Sequence, residues 1–187
     1  MPVRCEMGRL AGICLAALTC TAFATSGAAV GAPAPRQCRS ANLHLLVGDA
    51  GAAAGSSWSS LIFINTGPAC SLRGYPGVSA LTTPGGRQVG APAVRELAQP
   101  GLGGTRVATI VLARNGTASS VLRQGTALNF PAASCRPRTV AVLRVFPPGE
   151  SHPVYAGYRQ TECSIGRPVI GIAPVAAGPG PLLAGVP

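Results

Sequence analysis

The chain has 187 residues and a formal net charge of +10, from fifteen basic and five acidic residues, and every base is arginine. Aromatic residues make up only 4%. The arginines are scattered singly, so the clustered bases or stacking platform of a nucleic-acid-binding protein are missing, and nucleic acid is not an expected partner.

The first nine residues hold Arg4 and Arg9, and an apolar stretch from Leu10 to Ala24 closes on Thr25-Ser26-Gly27-Ala28-Ala29. A basic start, a short apolar run and a small-residue cleavage zone describe a secretory signal peptide. About 15 apolar residues are too few to span the roughly 30 Å hydrocarbon core of a bilayer. Cys14 and Cys20 lack the small residue that precedes a lipid-modified cysteine. Residues 1–28 are therefore expected to be removed, with a boundary between 24 and 32, which leaves no transmembrane segment. The exported chain then has about 159 residues, enough for one domain. It is expected outside the cell, associated with the envelope.

Residues 29–37 form a short lead-in. Beyond them, short apolar segments alternate with Gly and Pro clusters. Leu43, Leu45 and Val47 alternate over His44 and Leu46. The run from Trp58 to Asn65 begins with serine alternation and ends apolar on both faces, as a central strand does. Gly74-Tyr75-Pro76-Gly77 is a turn, because Gly supplies unusual backbone angles and Pro presets its own φ. Ala91–Leu97 fits one helical turn. Thr105–Ala113 and Ala118–Leu122 flank Asn115-Gly116, a strong hairpin signal. Strands at Thr139–Phe146, Pro153–Tyr158 and Val169–Val175 follow. Turns every 8–12 residues or so predict an all-β fold: a single antiparallel, immunoglobulin-like β-sandwich of about seven to nine short strands over residues 38–175. A flexible Pro- and Gly-rich tail is expected at 176–187.

Cys5, Cys14 and Cys20 leave with the signal peptide. The four that remain, Cys38, Cys70, Cys135 and Cys163, are an even number in an exported chain and read as two disulfides. Their gaps of 32, 65 and 28 residues do not suit a zinc site. If the strands that follow Cys38 and precede Cys70 form an antiparallel hairpin, its open ends meet at those two cysteines, and the same rule joins Cys135 to Cys163. A cross-sheet Cys70–Cys135 bridge in immunoglobulin style is the rival.

Several stretches carry a family resemblance. Ala53-Ala54-Gly55, then Leu61, Phe63 and Asn65, precede Cys70-Ser71-Leu72-Arg73-Gly74-Tyr75-Pro76-Gly77-Val78. Further on come Gly86-Arg87-Gln88-Val89-Gly90, Asn129-Phe130-Pro131-Ala132-Ala133-Ser134-Cys135 and Leu143-Arg144-Val145-Phe146-Pro147-Pro148. In this order they resemble the secreted actinobacterial family known as domain of unknown function 4232, over roughly residues 38–175. Where a Leu-x-Pro-Gly is expected, this chain has Leu112-Ala113-Arg114-Asn115-Gly116. The resemblance implies a small extracellular β-domain of no known activity, and it brings no catalytic residues with it.

Catalysis finds little support. Acids beyond the signal peptide are Asp49, Glu96, Glu150 and Glu162, and the histidines are His44 and His152. There is no G-x-S-x-G elbow. One hydrolase alternative uses His44 and Asp49 with a serine from Ser56–Ser60, but Asp49 equally serves the turn at Gly48-Asp49-Ala50-Gly51. Glu150 in a Pro-Pro-Gly-Glu turn and Glu162 beside Cys163 do not form a glycosidase pair. No glycine-rich phosphate cradle or metal-ligand spacing is present, and no cofactor is expected. Trp58 shares a strand face with Ile62 and Ile64 and is assigned to the core, whereas Tyr75 is a candidate surface contact. The chain reads as a non-enzyme. Its expected partners are anionic envelope components, attracted by spread arginines such as Arg73, Arg87, Arg95, Arg106, Arg136, Arg138 and Arg159, or an envelope protein gripped by a sheet face or the Gly74–Gly77 turn.

Overall fold

The computed structural model describes residues 34–53, 55–97, 105–167 and 169–180, so the expected signal peptide and residues 181–187 lie outside the described residues. A 3-10 turn at Ser40–Asn42 leads into β1 (Leu43–Ala53) and β2 (Ser56–Asn65), which pair antiparallel from Leu43 opposite Asn65 to Ala53 opposite Ser56. After β3 (Cys70–Arg73) come β4 (Gly77–Leu81), β5 (Gln88–Val89) and β6 (Val94–Arg95). Next are β7 (Thr109–Leu112), β8 (Thr117–Gly125), a 3-10 turn at Ala127–Asn129 and the one-turn helix α1 (Ala132–Cys135). The long hairpin of β9 (Pro137–Phe146) and β10 (Val154–Cys163) follows, and β11 (Ile170–Ile172) and β12 (Ala176–Ala177) close the chain.

One sheet runs β1-β2-β8-β11-β6, with β12 also on β8. A second runs β10-β9-β4-β5, and β3 pairs with β7 in a third. The core lies between the two larger sheets: Leu45, Leu61, Phe63 and Leu122 from the first meet Val78, Ala80, Leu143 and Val145 from the second. Alternation therefore works as read for β1, whose Leu43 and Leu45 are buried while His44 and Leu46 are exposed.

The all-β class is as expected, and several details are corrected. The described residues contain twelve strands, because β5, β6 and β12 are two-residue pairings too short to read from periodicity. Pairing is not purely antiparallel: β6 runs parallel to β11, with Gly171 opposite Val94. That pairing replaces the helical turn expected at Ala91–Leu97. The Ala93 amide donates to the Val78 carbonyl and the Glu96 amide to Ile172, so neighbouring strands take the donors a helix would use. Asn115-Gly116 does not close a hairpin. Asn115 does adopt the left-handed backbone (φ 62°), but β7 pairs with β3 while β8 pairs with β2, so the turn carries the chain between sheets.

Trp58 is also corrected. It shares a face with Ile62 and Ile64 as read, but that face points outward and all three are half-buried, while Ser59, Leu61, Phe63 and Asn65 turn to the core. At the C-terminal end, where a flexible tail is expected, Ala176 and Ala177 pair with β8, and the Gly178 amide donates to Thr117. Gly180 (φ 88°) passes so close over this outer face that a Cβ there would meet the Ser60 hydroxyl at 2.6 Å.

Candidate functional site

The cysteines are joined as Cys38–Cys70 and Cys135–Cys163, and the Cys70–Cys135 rival does not form. The first bridge ties the lead-in to β3, where the Cys38 amide also donates to the Ser71 carbonyl at 2.9 Å. The second ties α1 to the end of β10, where the Ile165 amide donates to the Cys135 carbonyl. All four half-cystines are buried.

The hydrolase trio is not assembled. His44 is exposed on the outer face of β1, opposite Ile64. The side chain of Asp49 lies outside the described residues; its backbone pairs with Ser59, five residues further along the strand from His44. At about 3.3 Å per residue, that separation is roughly 16 Å. The half-buried Tyr75 lies in the turn between β3 and β4, with the Arg95 guanidinium 5.8 Å from its ring centre, so one face of the ring already has a cationic partner.

What the structure does bring together is Ser40, Glu150 and His152, beside a cleft of about 630 Å³ that Arg39 also lines. Glu150 Oε2 accepts from the Ser40 amide at 3.0 Å and lies 3.1 Å from its Oγ. The same Oγ is 2.5 Å from the His152 carbonyl oxygen, so its one proton has two acceptors within reach. The hydrogen bond donated by the Ser40 amide is the first cause holding the Glu150 carboxyl below its ordinary value. The imidazole of His152 faces Ser151 (Oγ to Nδ1, 3.4 Å) and not Ser40. The acceptors within reach of the Ser40 hydroxyl are thus a carboxylate and a backbone carbonyl, not the imidazole. The arrangement clamps the first 3-10 turn to the β9–β10 turn. The Pro-Pro-Gly-Glu turn announces the bend, but nothing in the sequence signals its partner 110 residues away.

A second polar cluster is internal. The Tyr158 hydroxyl donates to Gln124 Oε1, and Gln124 Nε2 donates to the Thr161 carbonyl at 3.1 Å. Glu162 is 1% exposed, and its Oε1 has no hydrogen-bond partner. Burial pushes its carboxyl up to about 8, so it is protonated at neutral pH. Burial, followed by the nearby Glu162 charge, pushes the Tyr158 phenol up as well. Among the described residues no three His, Cys, Asp or Glu side chains gather where a metal ion could be held.

Eleven of the thirteen described arginines are exposed. Among the described residues a single ion pair forms, Arg123 Nε to Glu96 Oε1 at 2.7 Å, with a second contact from Nη2 to Oε2 at 3.0 Å. Fold and surface define a small, disulfide-braced β-domain with a basic exterior. The chain belongs to the family described as Domain of unknown function (DUF4232), whose family model matches residues 38–176. No curated protein and no solved structure matches the chain.

Proposed function

We propose that this is a non-catalytic domain, exported from the cell and held at its envelope by charge. One observation carries the reading: eleven exposed arginines are faced by few acids among the described residues. Glu96 is paired with the half-buried Arg123, Glu162 is buried and protonated, and Glu150 stays ionised near Arg39 alone among the exposed arginines. The exposed arginines thus outweigh the acids and sum to a positive field that draws anionic polymers and headgroups. Two disulfides and a leader with signal-peptide character fit export into an oxidising space. Recovery of the protein on isolated native envelopes at low and high salt tests the reading. Release by salt supports it, and salt-resistant recovery with one protein partner contradicts it.

A further inference from the structure

One end of the domain combines charge with exposed apolar side chains. The 3-10 turn at Ala127–Asn129 and α1 lie against the end of β10, because the Cys135–Cys163 disulfide joins them and Cys135 Sγ reaches the Ala127 carbonyl at 3.4 Å. The bend at 164–167 is drawn to the same place: the Ser164 amide donates to Arg136 and the Ile165 amide to Cys135. Gly166 runs so close that a Cβ there would meet the Ser134 carbonyl at 2.6 Å. On this scaffold Leu128 is 76% exposed, Phe130 45% and Ile165 40%. Arg136, whose carbonyl accepts from the Ser164 amide, Arg138, paired across the strands with Glu162, and Arg167, two residues beyond Ile165, are exposed on the same segments. The strand partner of Arg138 is Glu162, whose carboxyl is buried and leaves the arginine unneutralised.

We propose that this end docks on an anionic phospholipid bilayer, with Leu128, Phe130 and Ile165 entering the headgroup–acyl boundary and Arg136, Arg138 and Arg167 meeting lipid phosphates. The inference rests on the charge-based reading above and names its site and partner. A soluble polyanion would use the arginines and leave three apolar side chains in water, whereas a bilayer surface uses both. The short covalent link through Cys135–Cys163 keeps the two apolar loops from parting.

The test uses the full chain and vesicles of phosphatidylcholine alone or mixed with phosphatidylglycerol. In a Trp58→Phe background, Phe130→Trp places a reporter at the proposed face, so a signal from any other part of the chain is not mistaken for it. Its emission is expected to shift to shorter wavelength on the mixed vesicles and not on phosphatidylcholine. Each arginine near an anionic surface contributes about fivefold in affinity, so Arg136→Gln/Arg138→Gln/Arg167→Gln should weaken vesicle binding roughly a hundredfold. Leu128→Ser/Phe130→Ser should weaken it about tenfold or more. Arg73→Gln/Arg87→Gln/Arg106→Gln, with the same charge change elsewhere, should weaken it far less. Vesicle binding with no emission shift, or with equal losses from both arginine triples, overturns this face and leaves the charge reading intact. Retention on poly(glycerol phosphate) without vesicle binding does the same. Failure to bind either material overturns both.

Discussion

The side-chain nitrogen of Asn65 donates to the carbonyl of Ala113 at 3.1 Å and so fastens the end of β2 to the chain leaving β7. The same nitrogen reaches the carbonyls of Pro68 (2.8 Å) and Leu112 (3.3 Å), while Oδ1 accepts from the Gly67 amide at 3.0 Å. Backbone bonds double the link, from Asn115 to the Asn65 carbonyl and from Asn65 to the Gly116 carbonyl. Asn65 is 0% exposed, so none of these groups can turn to water instead.

Replacing Asn65 by Asp would aim a carboxylate oxygen at three carbonyls in a buried site. A buried polar group left unpaired costs about 1–3 kcal/mol, and a charge more. Asn65→Asp is therefore expected to destabilise the domain by at least about 3 kcal/mol in urea unfolding with an unchanged m-value. A change under about 0.5 kcal/mol would show that the inter-sheet link carries no stability.

Glu162 predicts an unusual pH dependence. Its folded carboxyl titrates at about 8, against an ordinary 4.5. Between those values the folded chain holds a proton that the unfolded chain has released, so this group's contribution is full below pH 4.5 and declines until pH 8. The ceiling on the slope is about 1.4 kcal/mol per pH unit. Unfolding of the wild type and of Glu162→Gln, measured across this range, should diverge, with the variant losing less stability as pH rises. Parallel curves would show that Glu162 is not buried as a neutral acid.

How far the sequence speaks can be judged residue by residue. Alternation in Leu43–Val47 and the placement of cysteines around two hairpins lead to β1, β2, β9, β10 and both disulfides, because these depend on local period and on short chain separations. Asn115-Gly116 shows the limit of turn chemistry. It reports that the chain reverses, and says nothing of which strand each arm will join. Trp58 shows the limit of parity: a central strand that is apolar on both faces does not announce its inner one. Ser40 with Glu150, the Asn65 hub and the buried Glu162 depend on contacts between distant segments, and no local pattern encodes them.

The disulfides offer a third prediction. Each closes a separation of about 30 residues (32 and 28), for which the chain-entropy relation gives roughly 3–4 kcal/mol. The double replacements Cys38→Ser/Cys70→Ser and Cys135→Ser/Cys163→Ser should each lower stability by that order. Loss of Cys135–Cys163 should also abolish the emission shift at position 130 before it unfolds the domain, since that bridge holds the two apolar loops together. Equal effects of both bridges on the shift would contradict this assignment.

If the excess of surface arginines holds this domain to its target, salt must release it. The most direct measurement is the fraction retained on isolated native envelopes as salt is raised from about 0.1 M to 1 M, which shortens the screening length from roughly 10 Å to 3 Å. A steep, reversible fall with no fixed stoichiometry is expected. Retention unchanged across that range, with one envelope protein recovered in constant ratio, would contradict it.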